Sequence, residues 1–233
     1  MSVSSNAKKY SGFKNLTLTI NQMPDVSVTF FKLFWLFFAG SLLGVIFEGI
    51  FCTLVHGGWE THVVSVWGPF CILYGFGMAG YYLLYSLLHK KSLGLQFLYY
   101  SLVGFTLEIV AGALLEYGLH MKAWDYSAQF MNIRGYVSLK MTILWGIAGI
   151  AGALLIPLYE KIFKKIDTAK WHLATKVLAV FMAINMFFTV CALGRWSNRH
   201  QGKPATTTIG RVMDANCNNE WMSERFCEWY FID

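Results

Sequence analysis

Residues 30–55 read FFKLFWLFFAGSLLGVIFEGIFCTLV, a run whose only charged side chains are Lys32 and Glu48. A membrane-spanning helix needs about 20 mainly apolar residues, each adding about 1.5 Å of rise. This stretch is long enough to cross a bilayer. It is too long for the apolar core of a cleaved signal, so it reads as an uncleaved signal anchor. Residues 69–88, 95–119, 139–163 and 173–193 qualify by the same measure. The pattern predicts an all-α integral membrane protein with about five transmembrane helices.

Composition agrees. Hydrophobic residues make up 56% of the 233-residue chain and charged residues 14%, where a soluble domain carries about 25% charged. Mean hydropathy is +0.46. Between Leu33 and Met121 the charged residues are Glu48, Glu60, Lys90, Lys91, Glu108 and Glu116 alone. So small a polar shell cannot cover that much apolar surface in water. A secreted enzyme, a nucleic-acid binder and a disordered tail are thereby excluded.

The net charge of +6 reads as topology. Lys8, Lys9 and Lys14, the Lys90-Lys91 turn, and Lys161, Lys164, Lys165 and Lys170 are basic, whereas residues 56–67 contain no Lys or Arg. The positive-inside rule then makes the N-terminus cytoplasmic and turns the first and third loops outward from a cell membrane. The organisation is a polar basic segment over 1–28, a transmembrane domain over 29–194 and a polar, amphipathic tail over 195–233. Five crossings leave the tail outside despite Arg195, Arg199, Lys203, Arg211 and Arg225. There Cys217 and Cys227 could pair, though two cysteines make no disulfide framework. The sequon Asn15-Leu16-Thr17 falls on the cytoplasmic side and carries no message.

The first two helices echo the next two. Gly44-Val45-Ile46-Phe47-Glu48 matches Gly104-Phe105-Thr106-Leu107-Glu108, Trp59-Glu60 matches Trp124-Asp125, and Gly68-Pro69 matches Gly135-Tyr136. Helices one and three run in the same direction, which describes a parallel hairpin repeat about an axis along the membrane normal. Four-residue spacing sets Gly40, Gly44, Glu48 and Cys52 on one stripe and Gly104, Glu108, Gly112 and Glu116 on another. Small residues at that spacing let backbones approach, so both stripes should face protein. Pro69 suits the first turn of the second helix, and Pro157 should kink the fourth near its cytoplasmic end. In the tail, Met222, Phe226, Trp229 and Tyr230 recur at helical spacing; either an interfacial helix or a cap over the bundle mouth would read this way.

Intramembrane carboxyls are expensive and mark ion or substrate paths. Glu48 and Glu108 are therefore the leading candidates. The plain alternative is a neutral carboxyl that glues two helices. Glu116 with His120, four residues on, and the Trp124-Asp125-Tyr126 run would form an outer vestibule. Arg134 and Lys140 are candidate counter-ions there. Glu116, His120 and Asp125 are weak metal candidates, because no His-Glu-x-x-His or paired-Cys spacing accompanies them. His56, His62 and Glu60 in the first loop could join such a metal-binding group, against the plainer reading that exposed loop histidines are simply solvated. Gly75-Phe76-Gly77-Met78-Ala79-Gly80 imitates a dinucleotide fingerprint but lies inside an apolar helix with no strand before it. No cofactor is evident. There is no P-loop, so any ATP would be hydrolysed by another subunit.

Gly44-x-x-x-Glu48, Trp67-Gly68-Pro69-Phe70-Cys71 with Tyr74-Gly75-Phe76-Gly77, Leu107-Glu108, Leu115-Glu116 and above all Trp124-Asp125-Tyr126-Ser127 resemble the type IV ABC-transporter family of bacterial multi-pass membrane proteins. Asn132, Gly135-Tyr136 and Trp145-Gly146 continue the likeness. Arg195, Arg199, Gly202, Pro204-Ala205 and Asp214 look like that family's tail. The resemblance implies a permease-like transport component, partnered by the lipid bilayer and a separate ATPase subunit, with homo-oligomerisation open. It names no substrate and no catalytic residue. The competing readings are a membrane-embedded enzyme or metal-binding protein using Glu108, Glu116, Asp125 and His120, and a structural or accessory membrane protein.

Overall fold

The structure, a computed structural model, describes residues 15–16, 18–59 and 62–232. The N-terminal lysines Lys8, Lys9 and Lys14, Thr17 of the sequon, and Glu60 lie outside the described residues. Helices dominate: α1 (Phe30–His56), α2 (Ile72–Leu88), α3 (Leu93–Leu119), α4 (Leu139–Leu154), α5 (Ile156–Ile166), α6 (Ala169–His200), α7 (Thr208–Asn216) and α8 (Asn219–Arg225). Two short strands, β1 (Met121–Lys122) and β2 (Tyr230–Phe231), pair antiparallel.

Local chemistry starts and stops these helices. The hydroxyls of Thr29, Ser92 and Ser138 accept from the amides of Lys32, Leu95 and Met141, capping α1, α3 and α4. Gly57, at φ +78°, closes α1 by returning its N–H to the Thr53 carbonyl. Most of α1 (Phe30–Leu54), α3 and α6 are long and apolar enough to cross a membrane. The α4–α5 pair reaches that length only as a unit bent by 55°. Expected as one kinked helix over 139–163, it breaks at Leu155, and Pro157 stands in the first turn of α5, where no intrahelical donor is lost.

The second helix differs more. Read from sequence as 69–88, it begins at Ile72 and is 17 residues long, short of a full crossing. The reason is where it begins. The Cys71 amide donates to the Ser41 carbonyl at 2.9 Å, near the midpoint of α1. Residues 62–71 therefore descend from the mouth into the bundle instead of lying over it as an outer loop, and Pro69 sits in this descent, not in the helix. Val63, Ser65, Val66 and Phe70 are all buried. Irregular backbone at this depth is tolerated only where protein satisfies its polar groups. Here Asn185 and Thr189 of α6 do so: Asn185 Oδ1 accepts from the Trp67 amide at 3.1 Å, Asn185 Nδ2 donates to the Trp67 carbonyl at 2.7 Å, and the Thr189 hydroxyl accepts from the Val66 amide at 2.9 Å.

The two glycine stripes face neighbouring helices or loops, as their spacing requires. Gly40 lies against Tyr74, Gly75 and Met78, Gly44 against the Tyr74 ring, Gly104 against the Trp145 indole, and Gly112 against Tyr136. On the opposing helices, Gly75 meets Ser41 and Phe37, while Gly146 meets Ser101 and Phe97. At the lysine-rich end, Lys32 is neutralised by Glu160 of α5 at 2.8 Å, and the Tyr82 hydroxyl donates to the same carboxylate.

The tail is a cap. Its helical pattern was expected to run on through Tyr230, but α8 stops at Arg225 and the chain extends into β2. Met222 and Phe226 are buried with Val66, Met121, Leu193 and Trp196, and the Ile232 amide donates to the His120 carbonyl at 2.9 Å. Cys217 is buried in this cluster and Cys227 exposed.

Candidate functional site

Glu48 and Glu108 occupy matching places. Each stands one turn after a glycine on which a neighbouring aromatic ring rests, and each accepts from that aromatic residue. The Tyr74 hydroxyl donates to Glu48 Oε2 at 2.5 Å, and the Trp145 indole N–H donates to Glu108 Oε1 at 3.0 Å. The two rings stack on each other with centroids 5.6 Å apart. Glu108 is 2% exposed, and its Oε2 is buried with no hydrogen-bond partner among the described residues.

Glu48 is only partly shielded. Its Oε1 lies 3.1 Å from His62 Nε2, and His62 Nδ1 lies 2.8 Å from Glu228 Oε1 of the tail. His62, read from sequence as a solvated loop histidine, instead bridges two carboxylates. It does so because residues 62–71 turn inward and the tail folds over them. Arg225 fastens that arrangement, donating through Nε to the Ser65 carbonyl at 2.9 Å and through Nη2 to the Gly68 carbonyl.

The expected vestibule residues are also gathered, with different partners than expected. Arg134 does pair with Glu116, at 2.6 Å, but Asp125 pairs with Lys122 at 2.9 Å and accepts from the Ser127 amide at 2.8 Å. Lys122 was missed because it precedes the Trp124-Asp125 motif on a two-residue strand that sequence alone does not announce. Trp124 donates its indole N–H to the Tyr136 carbonyl at 2.7 Å. Tyr126 is largely buried, and that burial raises its phenol, assisted by the charges of Glu108 and then Glu48. The loop thus inserts a phenol within electrostatic reach of both glutamates.

His120 ends α3 in the left-handed conformation, φ +52°, which breaks the helical register that would have set its ring over Glu116. Among the described residues no three His, Cys, Asp or Glu side chains come together to hold a metal ion.

Asp125 gives the loop after α3 a pH dependence. The Lys122 ammonium, chiefly, and the Ser127 amide hold its carboxyl below the usual aspartate value against the opposing effect of burial. A carboxyl depressed on folding stabilises the loop above its unfolded value and loses that contribution as pH falls through the lower folded value. Protection of the amides of residues 122–137, taken against the intrinsic exchange rate at each pH, should therefore hold from neutral pH down to the ordinary aspartate range and fall below it. Asp125→Asn should exchange faster at neutral pH and show no such acid step. Gly135, at φ +75°, packs against Asp125 Oδ1, so no bulkier residue fits that corner without displacing the carboxylate.

These features define a class: a multi-helix membrane protein with carboxyls embedded in its helix pairs and a structured mouth. A family model described as Putative ABC-transporter type IV matches residues 35–190, and the chain belongs to that family. It is a transporter-related membrane protein. The tail residues Arg195, Arg199 and Asp214 lie beyond the matched span. No curated protein and no solved structure matches the chain.

Proposed function

We propose that the protein is a permease-type transporter component in which Glu48 and Glu108 line or gate a polar path. The observation that carries this reading is the matched pair of glutamates, each tied to an aromatic donor, with one Glu108 oxygen buried and unbonded. A carboxyl used only as glue would be expected to have both oxygens satisfied. The like contacts at Gly44 and Gly104, and at Gly75 and Gly146, support a duplicated hairpin, α1–α2 and α3–α4. In this reading the chain crosses the plasma membrane five times with its N-terminus cytoplasmic, α2 together with the 62–71 descent making one passage. Glu116, Trp124, Asp125 and Tyr126 form the outer vestibule. Transport proceeds as the two hairpins shift and the carboxyls exchange partners or protons.

With no P-loop in the chain, energy from ATP would enter through a separate ATPase subunit. Gentle purification from the native membrane should bring such a subunit down in a fixed ratio. Glu48→Gln and Glu108→Gln together should abolish the solute accumulation that the wild-type complex gives in an untargeted comparison of vesicle contents, with expression and thermal stability unchanged. Undiminished accumulation in the double variant removes the glutamates from the path. Loss of stability without loss of accumulation would make them structural.

A further inference from the structure

The chain from Glu228 through His62 to Glu48 joins the tail surface to the bundle interior by direct contacts of 2.8 and 3.1 Å, and the Tyr74 hydroxyl continues it at 2.5 Å. All three residues of the first part are partly exposed, with side chains 21%, 24% and 22% accessible for Glu228, His62 and Glu48. Water can therefore reach the outer end, while Tyr74 is held within the helix pair. Consecutive polar atoms touch, so there is no room between them for a hydrated ion. What such a series can pass is a proton, and Asp/Glu/His chains serve this purpose in membrane transporters.

We propose that Glu228, His62 and Glu48 form a proton relay between the mouth of the protein and the glutamate pair inside it. The proposal deepens the reading of Glu48 as part of a polar path and rests on it, by naming the proton as the species exchanged there.

The step balances. The 2.8 Å contact of Glu228 Oε1 with His62 Nδ1 lies outside hydrogen-bonding angles, so the imidazole first turns into line; a proton on Glu228 Oε1 then passes to His62 Nδ1 while the proton on His62 Nε2 passes to Glu48 Oε1. Glu228 is left ionised and Glu48 neutral. The imidazole is neutral before and after, its N–H moved from one nitrogen to the other, and rotation of the ring resets it. The roles of the two ring nitrogens are set by their contacts: each faces one carboxylate.

The groups bearing on this step come from every side. Glu48 belongs to α1, and Tyr74 with the preceding Cys71 to the start of α2. Cys71 is within electrostatic reach of both Glu48 and Glu228. Glu108 of α3 and Tyr126 of the 120–138 connection lie further in, Tyr126 sensing both glutamates. From the tail come Glu228 itself and Arg225, whose guanidinium is engaged with the Ser65 and Gly68 carbonyls. On α6 the neighbouring groups holding the 62–71 segment are Asn185 and Thr189, which do not titrate.

The test is the rate at which Glu48 changes protonation after an external pH jump. It would be read as the carboxylic C=O band of the full-length protein in proteoliposomes, assigned by its loss in Glu48→Gln. His62→Gln should slow that rate by about tenfold or more, in line with the contribution of a positioned acid–base group. Glu228→Gln should slow it by less, since water can replace the outermost member. An unchanged rate in a folded His62→Gln protein overturns the relay. If that variant does not fold, His62→Asn takes its place, and an unchanged rate there overturns the relay. Because protonation of Glu48 is followed and not solute movement, a relay without transport and transport without a relay give different results.

Discussion

Replacing Trp145 with alanine is expected to destabilise the protein by about 3–5 kcal/mol, the range for deleting a buried large aromatic side chain. The indole fills the space over Gly104, contacts Gly77 and stacks on Tyr74, so its removal leaves a cavity where two helix pairs meet. The same side chain supplies the hydrogen bond to Glu108. Trp145→Phe separates the two effects. It keeps most of the ring but leaves the buried Glu108 Oε1 without its donor, which should cost about 1–3 kcal/mol. Removing both partners in Trp145→Phe/Glu108→Leu should restore much of that loss, because a missing pair is far cheaper than half a pair. Thermal unfolding of the purified protein in detergent reads all three. If Trp145→Phe unfolds like the wild type, Glu108 does not depend on the indole, and the matched-site description fails at its more buried member.

The second large effect belongs to the tail. Asp214 accepts from Arg195 Nε at 2.8 Å and from Arg199 Nη1 at 2.6 Å. Arg195 also donates to the Lys203 carbonyl, and Arg199 to the Cys217 carbonyl and to Asn219. Arg195 is 8% exposed. Asp214→Ala leaves two shielded guanidiniums without their shared anion. Breaking a buried pair in this way costs about 3–5 kcal/mol, and the 31% accessibility of Asp214 brings the expectation to about 2–3 kcal/mol through solvent screening. Desolvation is the largest single effect on the Asp214 carboxyl and raises it, but the two arginines together outweigh it and hold the carboxyl below its usual range. Its contribution is therefore present at neutral pH and lost as pH falls through the folded value. Limited proteolysis should cut Asp214→Ala between residues 200 and 218 while α1 to α6 remain intact. Arg195→Met should be milder, since Arg199 still serves Asp214. A tail equally protected in Asp214→Ala would show that apolar contacts at Met213, Met222 and Phe226 hold the cap unaided.

Much of the scaffold was legible because it depends on local properties. Runs of apolar residues mark α1, α3 and α6 directly. The glycine stripes were legible too, since spacing of four places residues on one helix face whatever lies opposite. The partners of Glu48 and Glu108 were not named, yet a signal existed. Tyr74 and Trp145 each precede a glycine, Gly75 and Gly146, in the helix that follows each glutamate's own, and comparing those helices as well would have paired them. Glu228 left no such trace, being 166 positions from His62 in a tail that read as a continuous helix.

By itself, the sequence determined that this is a helical membrane protein, which helices carry acids, and which faces of those helices meet protein. These follow from hydropathy and the 3.6-residue period, both short-range quantities. The tertiary structure alone decided that residues 62–71 descend into the bundle, that α2 starts at the midpoint of α1, and that His62 lies between two carboxylates. Each depends on backbone groups finding donors and acceptors on distant elements: Cys71 on Ser41, Trp67 on Asn185, Arg225 on Ser65 and Gly68. Hydrogen bonds of that kind are set by three-dimensional position and leave no period in the chain.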